Sequence, residues 1–140
     1  MSDDRGAAPI WFLGLALCVL MVGALSSELW RVIGERQELT AIADAAAIAA
    51  AGALDLDAYR MSGEVVLSSE EAVDRALLVI AAHSGGDDLA EAPVVDVASD
   101  ALSVRVELVR EVPFGLIRIL ALDEDRFMVT AVAVAYPSVP

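Results

Sequence analysis

Lysine and asparagine are missing altogether from this 140-residue chain, and its nine cations, all arginines, face 22 acids for a net charge of −13. No run of basic residues exists to track a phosphate backbone, which excludes a nucleic-acid partner. The single cysteine, Cys18, rules out an intramolecular disulfide and any CxxC metal or redox motif. It does not read as a lipidation site either, because Leu17 stands where such a signal needs a small residue. The single histidine, His83, has no nucleophile or second titrating partner in a recognisable motif, and no glycine-rich phosphate loop is present. The acid groups Asp87-Asp88 and Asp123-Glu124-Asp125 lack the alternating ligands and glycine of a calcium loop and read as turn residues. The expectation is a non-enzyme with no cofactor, metal or catalytic residue.

Charge is also lacking locally. From Gly6 to Ser27 the only ionisable side chain is the thiol of Cys18, and at 1.5 Å per residue this run makes about 33 Å of helix, enough to cross a hydrocarbon core of about 30 Å. The whole chain is 58% hydrophobic with a mean hydropathy of +0.65, more apolar than an ordinary soluble domain. The candidate anchor side chains are Ile10, Trp11, Phe12, Leu13 and Leu15, then Leu17, Val19, Leu20, Met21 and Val22. Pro9 falls in the first turn, where its missing N–H costs little, and Trp11 and Trp30 mark the two interfaces. A secretory signal cut before Ser27 is the alternative, with Ala24 and Ser26 as the small residues; the two acids of MSDDR and the length of the run speak against it. Arginines are nearly balanced across the span, so the positive-inside rule does not orient it. The acidic bulk that follows is the easier side to translocate, which places the C-terminal part outside the cytoplasm.

No proline follows the span before Pro93, so one helix of roughly 45 residues, about 70 Å long, is expected. Leu29, Val32, Leu39, Ile42, Ala46, Ala49, Ala53 and Leu56 fall on an apolar stripe at spacings of three and four, with Arg36 the one polar interruption. Glu28, Arg31, Glu35 and Glu38 form a charged one, with Arg31 and Glu35 paired at i,i+4. Alanine has the highest helix propensity and the smallest side chain that keeps it, so Ala41 to Ala53 forms a helix that other elements can approach closely. The helix-packing residues expected are Ile42, Ala43, Asp44, Ala46, Ala47 and Ala50, with Asp44 forming a small polar patch beside Gln37 and Thr40.

Downstream, Ser68 and Glu71 form a capping box ahead of a second helix that stops at Gly85-Gly86, with Val73, Leu77 and Ile80 on one face. A short strand is expected at Glu64 to Leu67. From Pro93 the apolar period becomes two, reading as a hairpin around Ala98-Ser99-Asp100 with Leu102, Val104, Val106 and Leu108 on one side. Pro113 ends it, FGLIRILAL makes a short crossing, and RFMVTAVAVAY is a last strand. Three strands with one apolar face need a helix over them, so the fold class is α+β, with a small antiparallel three-stranded sheet behind the long helix.

The combination of Asp4-Arg5-Gly6 before the apolar span with the alanine block Ala43 to Ala51 resembles the bacterial TadE/TadG-like Flp (tight adherence) pilus-assembly family. Val-x-Val, Val-Pro-Phe and a Val/Ala strand in the distal part are similar to it as well. The resemblance implies a pilin-like architecture and a membrane-anchored minor-pilin-like or pilus-assembly component of a Flp/Tad-type secretion system. It also implies pilin or pilus-assembly membrane proteins as partners, besides lipid and an oligomer formed through the N-terminal helix. Gly6 is the candidate processing position; a cut there would put Trp11 at the fifth mature position, where related prepilins carry Glu. The expected organisation is a cytoplasmic tail (1–8), a single bacterial inner- or plasma-membrane span (9–28), an Ala-rich spine (29–57), a loop and second helix (58–92), and an extracytoplasmic sheet region (93–140). A membrane-anchored binding or adhesion domain unrelated to a pilus, and a secreted domain freed by signal peptidase, are the other functions this sequence admits.

Overall fold

The computed structural model describes residues 7–83, 86–113 and 126–137. Helix α1, Ala7–Ala51, runs without a break through the apolar segment and the alanine block. Its 45 residues correspond to about 68 Å. Helix α2, Leu56–Ser62, and helix α3, Ser69–Ala82, follow. After a single 3-10 turn at Gly86–Asp88 come β1, Val94–Val97, β2, Val104–Pro113, and β3, Arg126–Ala135. The strands form one antiparallel sheet in the order β1-β2-β3. The architecture is therefore α+β: a long apolar helix, two further helices and a three-stranded sheet.

Helix α1 ends where its backbone tightens at Gly52 and Ala53, whose N–H groups donate to Ala49 and Ala50 at 3.2 and 3.0 Å. The guanidinium of Arg75, on α3, donates to the Gly52 carbonyl at 2.9 Å, placing a cation at the negative end of the long helix. Helix α2 occupies a stretch whose sequence reads as a loop. Its signals are nonetheless local: Asp55 caps the first turn by accepting from the N–H groups of Asp57 and Ala58, and Gly63 closes the last turn at φ 72°. The strand expected at Glu64 to Leu67 reduces to one bridge, Leu54 with Leu67.

At the start of α3, Ser68 is the N-cap, but its side chain makes no capping hydrogen bond and Glu71 pairs with Arg75 at 2.6 Å instead. The helix stops at Ala82, with His83 as its C-cap. The β1–β2 hairpin stands as its spacing predicts. Asp100 Oδ1 accepts from Leu102 N–H within the turn, and the Ala101 carbonyl accepts from Leu67 N–H. Leu102 belongs to this turn and is exposed, so the inward row of β2 starts at Val104.

One face of the sheet carries Val104, Val106, Leu108 and Val112 of β2 and Val129, Ala131 and Ala133 of β3, all in the core. Helix α1 packs on β2, β3 and α3, and α3 also meets β1. The opposite face stays open, with Val94, Met128, Val132 and Val134 exposed beside an Arg105–Glu107 pair at 3.1 Å. Gly6, the crossing expected from Phe114 to Leu122 and the acids Asp123 to Asp125 lie outside the described residues.

Candidate functional site: an alanine seam closed by an ionic latch

The upper half of α1 is pinched between α3 and the sheet, and this decides which of its residues are covered. Leu39, Ile42, Ala43, Ala46, Ala47 and Ala50 are buried. Positions 39, 43, 46 and 50 make one row at spacings of three and four, and 42 joins 46 in a second row beside it. The buried arc is wider than a single stripe because two elements press on it. The stripe read from sequence therefore needs correction at its ends, where Leu29 and Leu56 are exposed. Asp44 is exposed and accepts no hydrogen bond and makes no ion pair among the described residues.

The partner face of α3 also differs from the one its large residues suggest. Ala72, Ala76 and Ile80 are buried, whereas Leu77 is 40% exposed. The seam between the two helices is thus alanine against alanine, with Ile80 filling its end. On the sheet side, Ala131 and Ala133 present small residues as well, and volume comes from Leu39, Ile42 and the β2 row. Three layers meeting at methyl groups brings backbones close, so dispersion contacts replace the area that larger side chains would bury.

Below the seam the contact becomes ionic. In β2 the inward parity continues to position 110, which puts Arg110 in the core row with only 5% of its surface exposed. Its Nη1 donates to Glu35 Oε2 at 3.0 Å and stands 3.9 Å from Glu38 Oε1, both on α1. One turn nearer the N terminus, Arg31 pairs with Glu28 at 2.7 Å and donates to the Pro113 carbonyl at the end of β2. The Arg31–Glu35 pair expected from i,i+4 spacing is not formed, because each has a better-placed partner on or beside the sheet. Arg31, Glu35, Asp88, Leu89, Arg110 and Pro113 border an open cleft of about 500 Å³. Sequence reading missed Arg110. The signal was its parity with Val104, Val106 and Leu108, set against three acids on one face of the preceding helix.

Beneath the latch α1 is bare. Ile10, Trp11, Phe12, Leu13, Leu15, Leu17, Val19, Leu20, Met21 and Val22 are all exposed. The helix contains an 18-residue window of mean hydropathy 2.2, none of it buried, and is long and apolar enough to cross a membrane. Cys18 lies on this exposed part. His83 Nδ1 is 2.8 Å from the Val79 carbonyl one turn back, a contact within its own helix. Among the described residues no group of three or more His, Cys, Asp or Glu is placed to hold a metal ion.

Fold and seam together define a class: a small α+β packing module carried on a helix that is half naked and half embedded. Within that class, residues 6–53 match the family model described as Tad, putative Flp pilus-assembly TadE/G-like. The matched stretch is α1 from end to end, together with the turn that closes it. It supports a role associated with a Flp/Tad pilus system, among protein partners. The distal strand patterns fall outside the matched stretch. No curated protein and no solved structure matches the chain.

Proposed function

We propose that this chain is a membrane-anchored minor-pilin-like or pilus-assembly subunit of a Flp/Tad-type secretion system, acting by protein–protein contact and not as an enzyme. The observation that carries the reading is the coincidence of the matched stretch with α1, a helix apolar and uncovered over its first half and tightly packed over its second. A helix of this kind holds its domain at a defined height above the bilayer and passes displacement from one to the other without a flexible joint. The N terminus then lies in the cytoplasm and the sheet outside. Catalysis needs a positioned nucleophile or acid–base pair, and the latch carboxylates are engaged in holding helix to sheet.

The test is recovery of the native chain from its cells. The expected result is a protein that resists carbonate extraction, retains residues 9–28 by intact mass, is cleaved in its sheet region by protease added outside, and co-isolates with Flp pilus components after mild cross-linking. Recovery of a chain beginning near Ser27 in the medium would sink the anchor. An anchored chain whose cross-linked partners include no pilus component would favour the unrelated adhesion module.

A further inference from the structure

The geometry points to a lipid-contacting rim at the lower end of the sheet, through which the globular part sits on the bilayer headgroups instead of standing clear of them; this rests on the anchor reading above. The span ends at Ser27, and Glu28 is the first charge beyond it. Arg31 is three residues further, about 4.5 Å along the axis at 1.5 Å per residue. The headgroup layer on each side of the hydrocarbon is about 5–7 Å deep, the difference between a 40–45 Å bilayer and its 30 Å core shared by two leaflets. Arg31 donates to the carbonyl of Pro113, so the end of β2 is pinned at the depth of that layer. Register carries β3 to the same height, because Phe127 pairs with Val112 and Met128 with Glu111.

The side chains displayed at this level are those that favour an interface. Trp30 is 73% exposed, Phe127 58% and Met128 52%. An indole beside a bilayer has its ring among the headgroups and upper acyl carbons, and exposed Phe and Met favour the same zone. Among the described residues, two of the acids at this level are met by cations, Glu28 by Arg31 and Glu35 by Arg110. The rim lies at the headgroup depth set by the anchor helix itself, so the occupant it fits is the same lipid and not a separate partner.

Depth measured by spin labels decides it. The full chain carrying Cys18→Ser is reconstituted in phosphatidylcholine vesicles with one cysteine label at a time: Leu17→Cys in the span, Met128→Cys on the rim, and Val134→Cys about 20 Å higher on the same sheet face. Collision with oxygen, enriched in lipid, and with a water-soluble nickel chelate is read at each. The expected result is a buried Leu17 label, an aqueous Val134 label, and a Met128 label with several-fold less nickel and several-fold more oxygen collision than position 134. If positions 128 and 134 read alike while position 17 is buried, the domain stands off the bilayer and the rim is overturned while the anchor stands. A label at 128 shielded from both reagents would overturn it in favour of a protein contact. A label at 17 that collides with nickel as freely as position 134 would overturn the anchor itself.

Discussion

At the scale of single residues, Arg110 ties the lower half of the sheet to α1 through Glu35 and Glu38. Its side chain is 6% exposed and its carboxylate partner Glu35 34%, so the pair is buried on one side and wetted on the other. Removing the arginine leaves two carboxylates facing the space it filled and takes away one polar tie between α1 and the lower part of β2, another being the Arg31 bond to the Pro113 carbonyl. Arg110→Ala is therefore expected to destabilise the fold by about 2 kcal/mol, the range for a hydrogen bond to a charged group. Glu35→Gln, with its partly solvated oxygen, should cost under about 1 kcal/mol. Thermal unfolding of the full chain in detergent micelles checks both, with exposed Asp44→Asn as the control that should not move. Equal losses for Arg110→Ala and Asp44→Asn would remove the latch from the account. The arginine was legible in the chain as a break in an apolar row. Its partners were not, since they lie 75 and 72 positions away and only the packing of β2 on α1 brings them into reach.

At the scale of elements, the alanines explain why α1 and α3 have to meet where they do. A substitution that adds volume at the seam must push two layers apart. Ala46 has no exposed surface, and Ala46→Leu should cost about 2 kcal/mol by overpacking. Ala41→Leu, on the uncovered side of the same helix, should stay within about 0.5 kcal/mol. Comparable thermal midpoints for the two variants would mean that the helices are not in close contact. Composition announces the seam but cannot phase it. Nine of the thirteen positions from Ala41 to Ala53 are alanine, so only Ile42, Asp44 and Ile48 distinguish the faces of the helix and periodicity carries little direction. The same ambiguity hides the partner face of α3: Leu77 looks more like a core residue than Ala76 does, yet Ala76 is the one that a close alanine helix can accept. Helix α2 was missed for a different reason, being only seven residues long, too short for a periodic signal; its caps, Asp55 and Gly63, were the readable part.

At the scale of the whole molecule, the consequence of a 45-residue helix with no break is a rigid link between lipid and domain. A Cβ added at Gly34 would meet nothing within 4 Å, so this glycine serves no close packing among the described residues. Labels at exposed Leu20 and Ile48 should report a narrow distance distribution centred near about 42 Å, the rise of 28 helical residues. Gly34→Pro, which removes a backbone hydrogen bond and introduces a kink, should shorten and broaden it. A broad distribution in the parent chain would show that anchor and module move independently.

The amino-acid sequence by itself determined where the apolar helix runs, that it continues into the alanine block, and that an antiparallel sheet follows. Those features rest on local propensities and on charge left out over a whole span, and they need no knowledge of neighbours. Only the tertiary structure decided how wide the covered arc of α1 is, that Ala76 and not Leu77 is buried on α3, and that Arg110 meets Glu35. These depend on contacts between residues far apart in the chain, which local propensity and periodicity do not specify.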